Sequence, residues 1–205
     1  PASATSSPFV INRRPTFTLA ADTSVAPGDI ATWTSTADDP DTLGGDDTIQ
    51  LHVCRASGFN PAIPSCTGAQ WATSSFATSN PTATTTIPIP TQDGNLASYV
   101  YIVDQHGHAA VGGYQDTNTL LTIDNVAPYI ASSTIQLYGV YGTTTGTTSL
   151  VLTVPEGETQ HFVVAFEVSD NNSCLSTTSA NEISSARVNV FRSDIGGTYG
   201  YGCDA

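Results

Sequence analysis

Apolar and polar residues alternate one for one over much of this chain, the period of a β-strand with one face buried, and helical periodicity is absent throughout. Thr16–Ala20 alternates through Phe17 and Leu19, and Ala26-Pro27-Gly28-Asp29 turns the chain into a second alternating run, Ile30–Ala37. Thr48–Arg55 follows through Ile49, Leu51 and Val53, then Thr82–Ile89 through Ile87 and Ile89. Ala97–Asp104 is the strongest strand signal, Gln105–His108 is a hairpin tip, and Thr117–Asp124 returns as a last strand. Short strands with turn residues at this spacing predict an all-β sandwich.

The stretch Thr122–Ile130, T-I-D-N-V-A-P-Y-I, closes this set of strands and opens another. It divides the chain into an N-terminal segment or linker (residues 1–15), a first antiparallel sandwich (16–124) and a second (125–205). In the second unit Ser133–Leu137, Ser149–Val154, His161–Val168 and Ile183–Arg192 are expected strands. Nothing after them matches the last two strands of the first unit, so the second sandwich is expected to be incomplete. Either the polypeptide continues or another chain supplies the missing strands.

Charge narrows the partners. Eighteen acidic residues face five basic ones, all Arg, for a net charge of -13. A nucleic-acid backbone needs a basic stripe and would be repelled here, whereas divalent cations are the natural counter-ions. No apolar run reaches the length of a membrane-spanning helix. The absence of Lys excludes Lys-Asn isopeptide crosslinks. Four cysteines allow three pairings, and the local ones, Cys54 with Cys66 and Cys174 with Cys203, place one bridge in each unit. Zinc is the rival, but no C-x-x-C occurs and the histidines are not at ligand spacing from the cysteines. Disulfides imply an oxidising, extracellular setting, and a dozen-residue loop closed this way stabilises by roughly 2–3 kcal/mol.

The two units share a repeat. F-E-V-S-D-N-N at Phe166–Asn172 aligns with T-S-T-A-D-D-P at Thr34–Pro40, and V-N-V-F-R at Val188–Arg192 with L-H-V-C-R at Leu51–Arg55. With A-D-D-P-D, V-D-Q-H-G and D-N-V-A-P as punctuation, the chain resembles the bacterial tandem Ig-like repeats, including cadherin-like and PKD-like ones, of large cell-surface and adhesion proteins. The resemblance implies two tandem Ig-like sandwiches. It also implies a non-catalytic structural or adhesion role as a rigid spacer, with neighbouring Ig-like domains, identical subunits, or a surface glycan or protein receptor as partners. A filament subunit completed by strand addition from Phe9–Ile11, and a carbohydrate-binding module, are the alternatives.

The candidate chemistry is acidic. Asp38, Asp39, Asp41, Asp46 and Asp47 crowd into ten residues, which a cation or bulk water must screen. Leu43 and Gln50 occupy positions where an EF-hand needs ligands. In an Ig-like topology this loop and the tip at Asp104 share one end, so Asp39, Asp41 and Asp104 are candidate calcium ligands; a solvated acidic loop is the plain alternative. By the same topology Asp124 and Asn125 face Asp170, Asn171, Asn172 and Glu182, and the cadherin-like resemblance implies an interdomain calcium clamp. Asx residues satisfying turn backbone are the alternative there. His106 and His108 could hold a transition metal, Asn171-Asn172-Ser173 is a glycosylation sequon with Asn171 as acceptor, and Trp33, Trp71, Tyr99, Tyr101 and Tyr114 could form a sugar-stacking platform. Nucleophile-elbow, metalloprotease and phosphate-loop motifs are absent, so no catalysis is expected.

Overall fold

The structure, a computed structural model, describes residues 11–20, 23–41, 47–138, 162–173 and 183–188. Strands β1 (Thr16–Ala20), β2 (Thr23–Val25), β3 (Ile30–Asp38) and β4 (Ile49–Cys54) lead to a small hairpin, β5 (Phe59–Asn60) and β6 (Ser65–Cys66). There follow β7 (Gln70–Thr73), β8 (Thr82–Thr86), β9 (Gly94–Leu96), β10 (Tyr99–Asp104), β11 (Thr117–Asn118) and β12 (Leu121–Ile123). Past Asp124 come β13 (Tyr129–Ile130), a 3-10 turn at Ser132–Thr134, β14 (Gln136–Tyr138), β15 (Val163–Ala165) and β16 (Val168–Ser169).

The chain folds as an all-β sandwich. One layer is the β1-β3-β8 sheet and the other the β11-β10-β4-β7 sheet. A β2-β12-β9 ladder prolongs the second layer, because β9 runs on into β10 and β11 into β12. Among the described residues these strands pair antiparallel except β2 with β12, which run parallel; an isolated parallel bridge also joins Thr16 to Val111. The N-terminal strands therefore serve both layers, β1 against β3 and β2 against β12. This parallel pair departs from the fully antiparallel expectation.

The alternation in β3 decides which face is core. Ala31, Trp33, Ser35 and Ala37 point in, while Ile30, Thr32, Thr34 and Thr36 point out. Trp33 is fully buried and donates its indole N–H to Ser98 Oγ at 3.2 Å, so its polar atom is satisfied inside the core. Phe17, Leu51, Val53, Val100, Ile102, Leu121 and Ile123 pack with it. No residue beyond Ile123 joins this core among the described residues. In β10, Val100 through Asp104 are all buried, because the disulfide loop covers the face turned away from the core. Gly58 N–H donates to Tyr101 Oη at 2.7 Å, and the Phe59 ring stacks on Tyr101 at 4.9 Å.

Several elements are shorter than their alternation suggests. Strand β8 stops at Thr86, since Pro88 and Pro90 have no N–H to extend a ladder; Ile87 is buried but Ile89 is exposed. Thr117–Asp124 splits in two, β11 pairing with β10 and β12 with β9, and Thr119 N–H donates to Ser98 O between them. His161–Val168 divides at Phe166-Glu167, where the chain leaves β14 for β13. Ser133–Leu137 begins as the 3-10 turn, and its strand starts at Gln136. Residues 183–188, expected to open a strand, carry none and pair with no strand among the described residues. Residues 149–154 and 189–192 lie outside the described residues.

Candidate functional site

The acidic loop leaves β3 at Asp38 and is closed by Asp47 N–H donating to Asp41 O at 3.3 Å. That closure brings carboxylates of Asp39, Asp41 and Asp47 within 4.8 Å of one another. Asp39 is only 7% exposed. Its Oδ1 accepts the Asp41 N–H at 3.1 Å, while its buried Oδ2 has no hydrogen-bond partner. Burial raises the Asp39 pKa above its ordinary value, and the facing charges of Asp41, Asp47 and Asp104 push it the same way, although the Asp41 N–H bond opposes them. The nearest basic side chains stand off: Arg13 Nε lies 3.9 Å from Asp41 Oδ1 on a largely exposed side chain, and the His106 ring Nε2 lies 3.5 Å from Asp47 Oδ1.

Asp104, the third predicted ligand, does different work. Its Oδ1 accepts N–H groups from His106 at 2.9 Å and His108 at 2.7 Å, and its Oδ2 faces His108 Nδ1 at 3.1 Å. Asp104 thus shapes the hairpin tip behind the cluster, and Asp47 stands in the place expected for it. The two histidines divide, His108 towards Asp104 and His106 towards Asp47.

At the other end of the sandwich Asn172, fully buried, reaches across the linker. Its Oδ1 accepts Val126 N–H at 2.6 Å, and its Nδ2 donates to Asp124 O at 3.0 Å and Thr91 O at 3.2 Å. Thr91 N–H in turn donates to Asn171 O at 3.1 Å. The expected approach of Asn172 to Asp124 is present, carried by an amide and backbone carbonyls. The Asp124 carboxylate accepts from Ser24 Oγ at 2.6 Å, and Asp170 Oδ1 accepts Asn172 N–H at 2.8 Å. Glu182, Cys174 and Cys203 lie outside the described residues; Asn171 is half-buried beside this joint.

The two ends are built alike. Tyr129 pairs with Ser169 one residue after Pro128, as Thr16 pairs with Asp38 one residue after Pro15. Counting from those pairs makes Asp170 the counterpart of Asp39 and Asn172 that of Asp41, one residue away from the letter-by-letter alignment. The hydrogen bonds repeat as well. Arg13 N–H donates to Asp41 Oδ2 as Val126 N–H does to Asn172 Oδ1, and Asp170 Oδ2 is buried and unpartnered like Asp39 Oδ2. The sequence signal was an asparagine three residues before a proline: Asn12 and Pro15 match Asn125 and Pro128. Thr91, whose backbone enters the interior joint, carried no such signal.

The remaining candidates have structural duties. Cys54 and Cys66 form a disulfide. Trp33 is core, the Trp71 ring is covered by the Arg55 guanidinium at 3.7 Å, and Tyr114 packs on Phe17. Among the described residues no helix is long and apolar enough to cross a membrane. In comparison with known proteins, the chain matches no protein-family model and no curated protein sequence.

Proposed function

We propose that this chain is a non-catalytic structural module of a secreted or cell-surface bacterial protein, an Ig-like sandwich coupled stiffly to the Ig-like unit that begins after Asp124, and so a rigid spacer. One observation carries it. Asn172, with no exposed surface, ties the linker at Asp124 and Val126 to the Thr91 loop of the preceding sandwich through three hydrogen bonds. A flexible tether would leave these linker groups to water; here rotation about the linker exposes or breaks all three bonds, each net worth about 1 kcal/mol. The Cys54–Cys66 disulfide supports the extracellular setting, because such bonds persist in oxidising compartments.

The test is small-angle X-ray scattering of the whole chain and of Asn172→Ala. The intact chain is expected to fit one extended shape, and the variant to show a broader distance distribution at unchanged sandwich stability. Identical profiles for the two proteins would remove the reading of a stiff joint.

A further inference from the structure

We infer that Asp39, Asp41 and Asp47 form a divalent-cation site, with calcium as the fitting ion, and that this cation does at the N-terminal end of the sandwich what the Asn172 amide does at the far end. The duplicated geometry carries the inference. In the interior joint the residue two beyond Asp170 is an asparagine, Asn172: its oxygen accepts the linker N–H and its Nδ2 donates to two carbonyl oxygens. In the N-terminal joint Asp41 takes the same linker N–H, from Arg13, but a carboxylate has no hydrogen with which to hold carbonyls. A cation supplies that missing bridge, since it attracts carboxylate and carbonyl oxygen together.

The ligand set agrees. The carboxylates of Asp39, Asp41 and Asp47 already lie within 4.8 Å of one another, and Asp39 contributes a buried oxygen with no partner inside the protein. An unpaired carboxylate oxygen buried beside two more carboxylates is costly unless a cation reaches it. Calcium accepts flexible sets of carboxylate and carbonyl oxygens, and Ile11, at the position equivalent to Asp124, places a backbone carbonyl in the same linker. Magnesium is the poorer fit, because it demands a near-ideal octahedron. At the interior joint Asp170 Oδ2 is also unpartnered, yet no cluster of three carboxylates surrounds it among the described residues. The cation site does not rest on the spacer reading.

Calorimetric titration of the whole chain with calcium, magnesium in excess, tests the site. Expected is one ion per chain with a Kd on the order of 10⁻⁴–10⁻³ M, as in extracellular calcium modules. Asp41→Asn and Asp47→Asn should each weaken it by at least about tenfold, since ligand charge sets calcium affinity. Asp41→Asn copies the side chain already found at position 172, so it should fold, and circular dichroism checks this. Asn172→Ala should bind calcium as the parent does. An absence of calcium binding, as a simply protonated Asp39 would give, or unchanged affinity in Asp41→Asn and Asp47→Asn, overturns the inference. Because Asn172→Ala reads the spacer by scattering and leaves calcium affinity alone, failure of one proposal is separable from failure of the other.

Discussion

Tyr101 faces His52 across β10 and β4, with the Phe59 ring against both, at 4.9 Å and 4.8 Å. Burial pushes the Tyr101 phenol up to about 12, helped by its hydrogen bond to Asp116. Its folded pKa lies above the ordinary value of about 10, so the neutral phenol stabilises the fold fully below pH 10 and that contribution is lost between pH 10 and about 12. Burial lowers the pKa of His52, so its neutral ring contributes above about pH 6.5 and loses that contribution as the pH falls further. Asp116 is raised by burial but lowered overall by hydrogen bonds from Tyr101, Ser57 and Gly58, and its contribution is lost as acid protonates it. Thermal melts against pH should therefore show a plateau from about 6.5 to 10. Phenolate absorbance should show one of the eight tyrosines ionising near 12. Tyr101→Phe should melt lower at pH 7 by about 1–2 kcal/mol, because it strands the Gly58 N–H and a carboxylate oxygen, and should lose the extra fall above pH 10. A parent chain whose tyrosines all titrate near 10 would contradict this assignment.

At the scale of elements, the strand centres were legible because burial follows the alternation, and Trp33, Leu51, Val53 and Ile102 fall where it puts them. Strand ends were not. Each shortened strand stops where a ladder partner changes or where proline removes a donor, and partner changes are tertiary facts with no local residue signature. The parallel β2-β12 pair has the same origin: T-S-V looks like any short strand until its neighbour is known. How β1 is held makes a sharper test. Val111 bonds both Pro15 O and Phe17 N–H, and Gly112 follows at φ +124° with its missing Cβ aimed 2.5 Å from Phe17 O. Gly94 has a similar φ of +112° but open space where a Cβ would stand. Gly94→Ala should cost about 1–2 kcal/mol from backbone strain alone. Gly112→Ala should cost distinctly more in a urea melt, because the backbone of β1 must move as well; equal costs would mean β1 gives way freely. Reducing Cys54–Cys66 in the same assay should remove roughly 2–3 kcal/mol, in line with its sequence separation of 12 residues.

For the whole molecule, the two ends of the sandwich repeat one pattern of backbone pairing and linker hydrogen bonding. That acidic and Asx residues would gather there was legible from Asp39, Asp41, Asp124 and Asn172. Their equivalence was hidden, because matching D-D against D-N by letters slips the frame by one residue, whereas β-pairing after Pro15 and Pro128 fixes it. The corrected frame yields a test that exchanges one atom. Asn172→Asp keeps the oxygen that accepts Val126 N–H and replaces Nδ2, the donor to Asp124 O and Thr91 O, with a second oxygen. Two carbonyls at 3.0 Å and 3.2 Å would then face a buried negative charge, where Asn172→Ala leaves the Val126 N–H and these carbonyls without their partner but adds no charge. An uncompensated buried charge costs about 3–5 kcal/mol and an unsatisfied amide about 1–3 kcal/mol, so Asn172→Asp should be the more disruptive change despite being nearly isosteric. The penalty belongs to the joint, because among the described residues the core of Trp33 and its neighbours includes none past Ile123. Tryptophan fluorescence should therefore report an unchanged sandwich melt, while scattering shows the linker released more fully than in Asn172→Ala. If Asn172→Asp instead lowers the sandwich melt and leaves the scattering profile compact, the linker is fixed by contacts other than this amide.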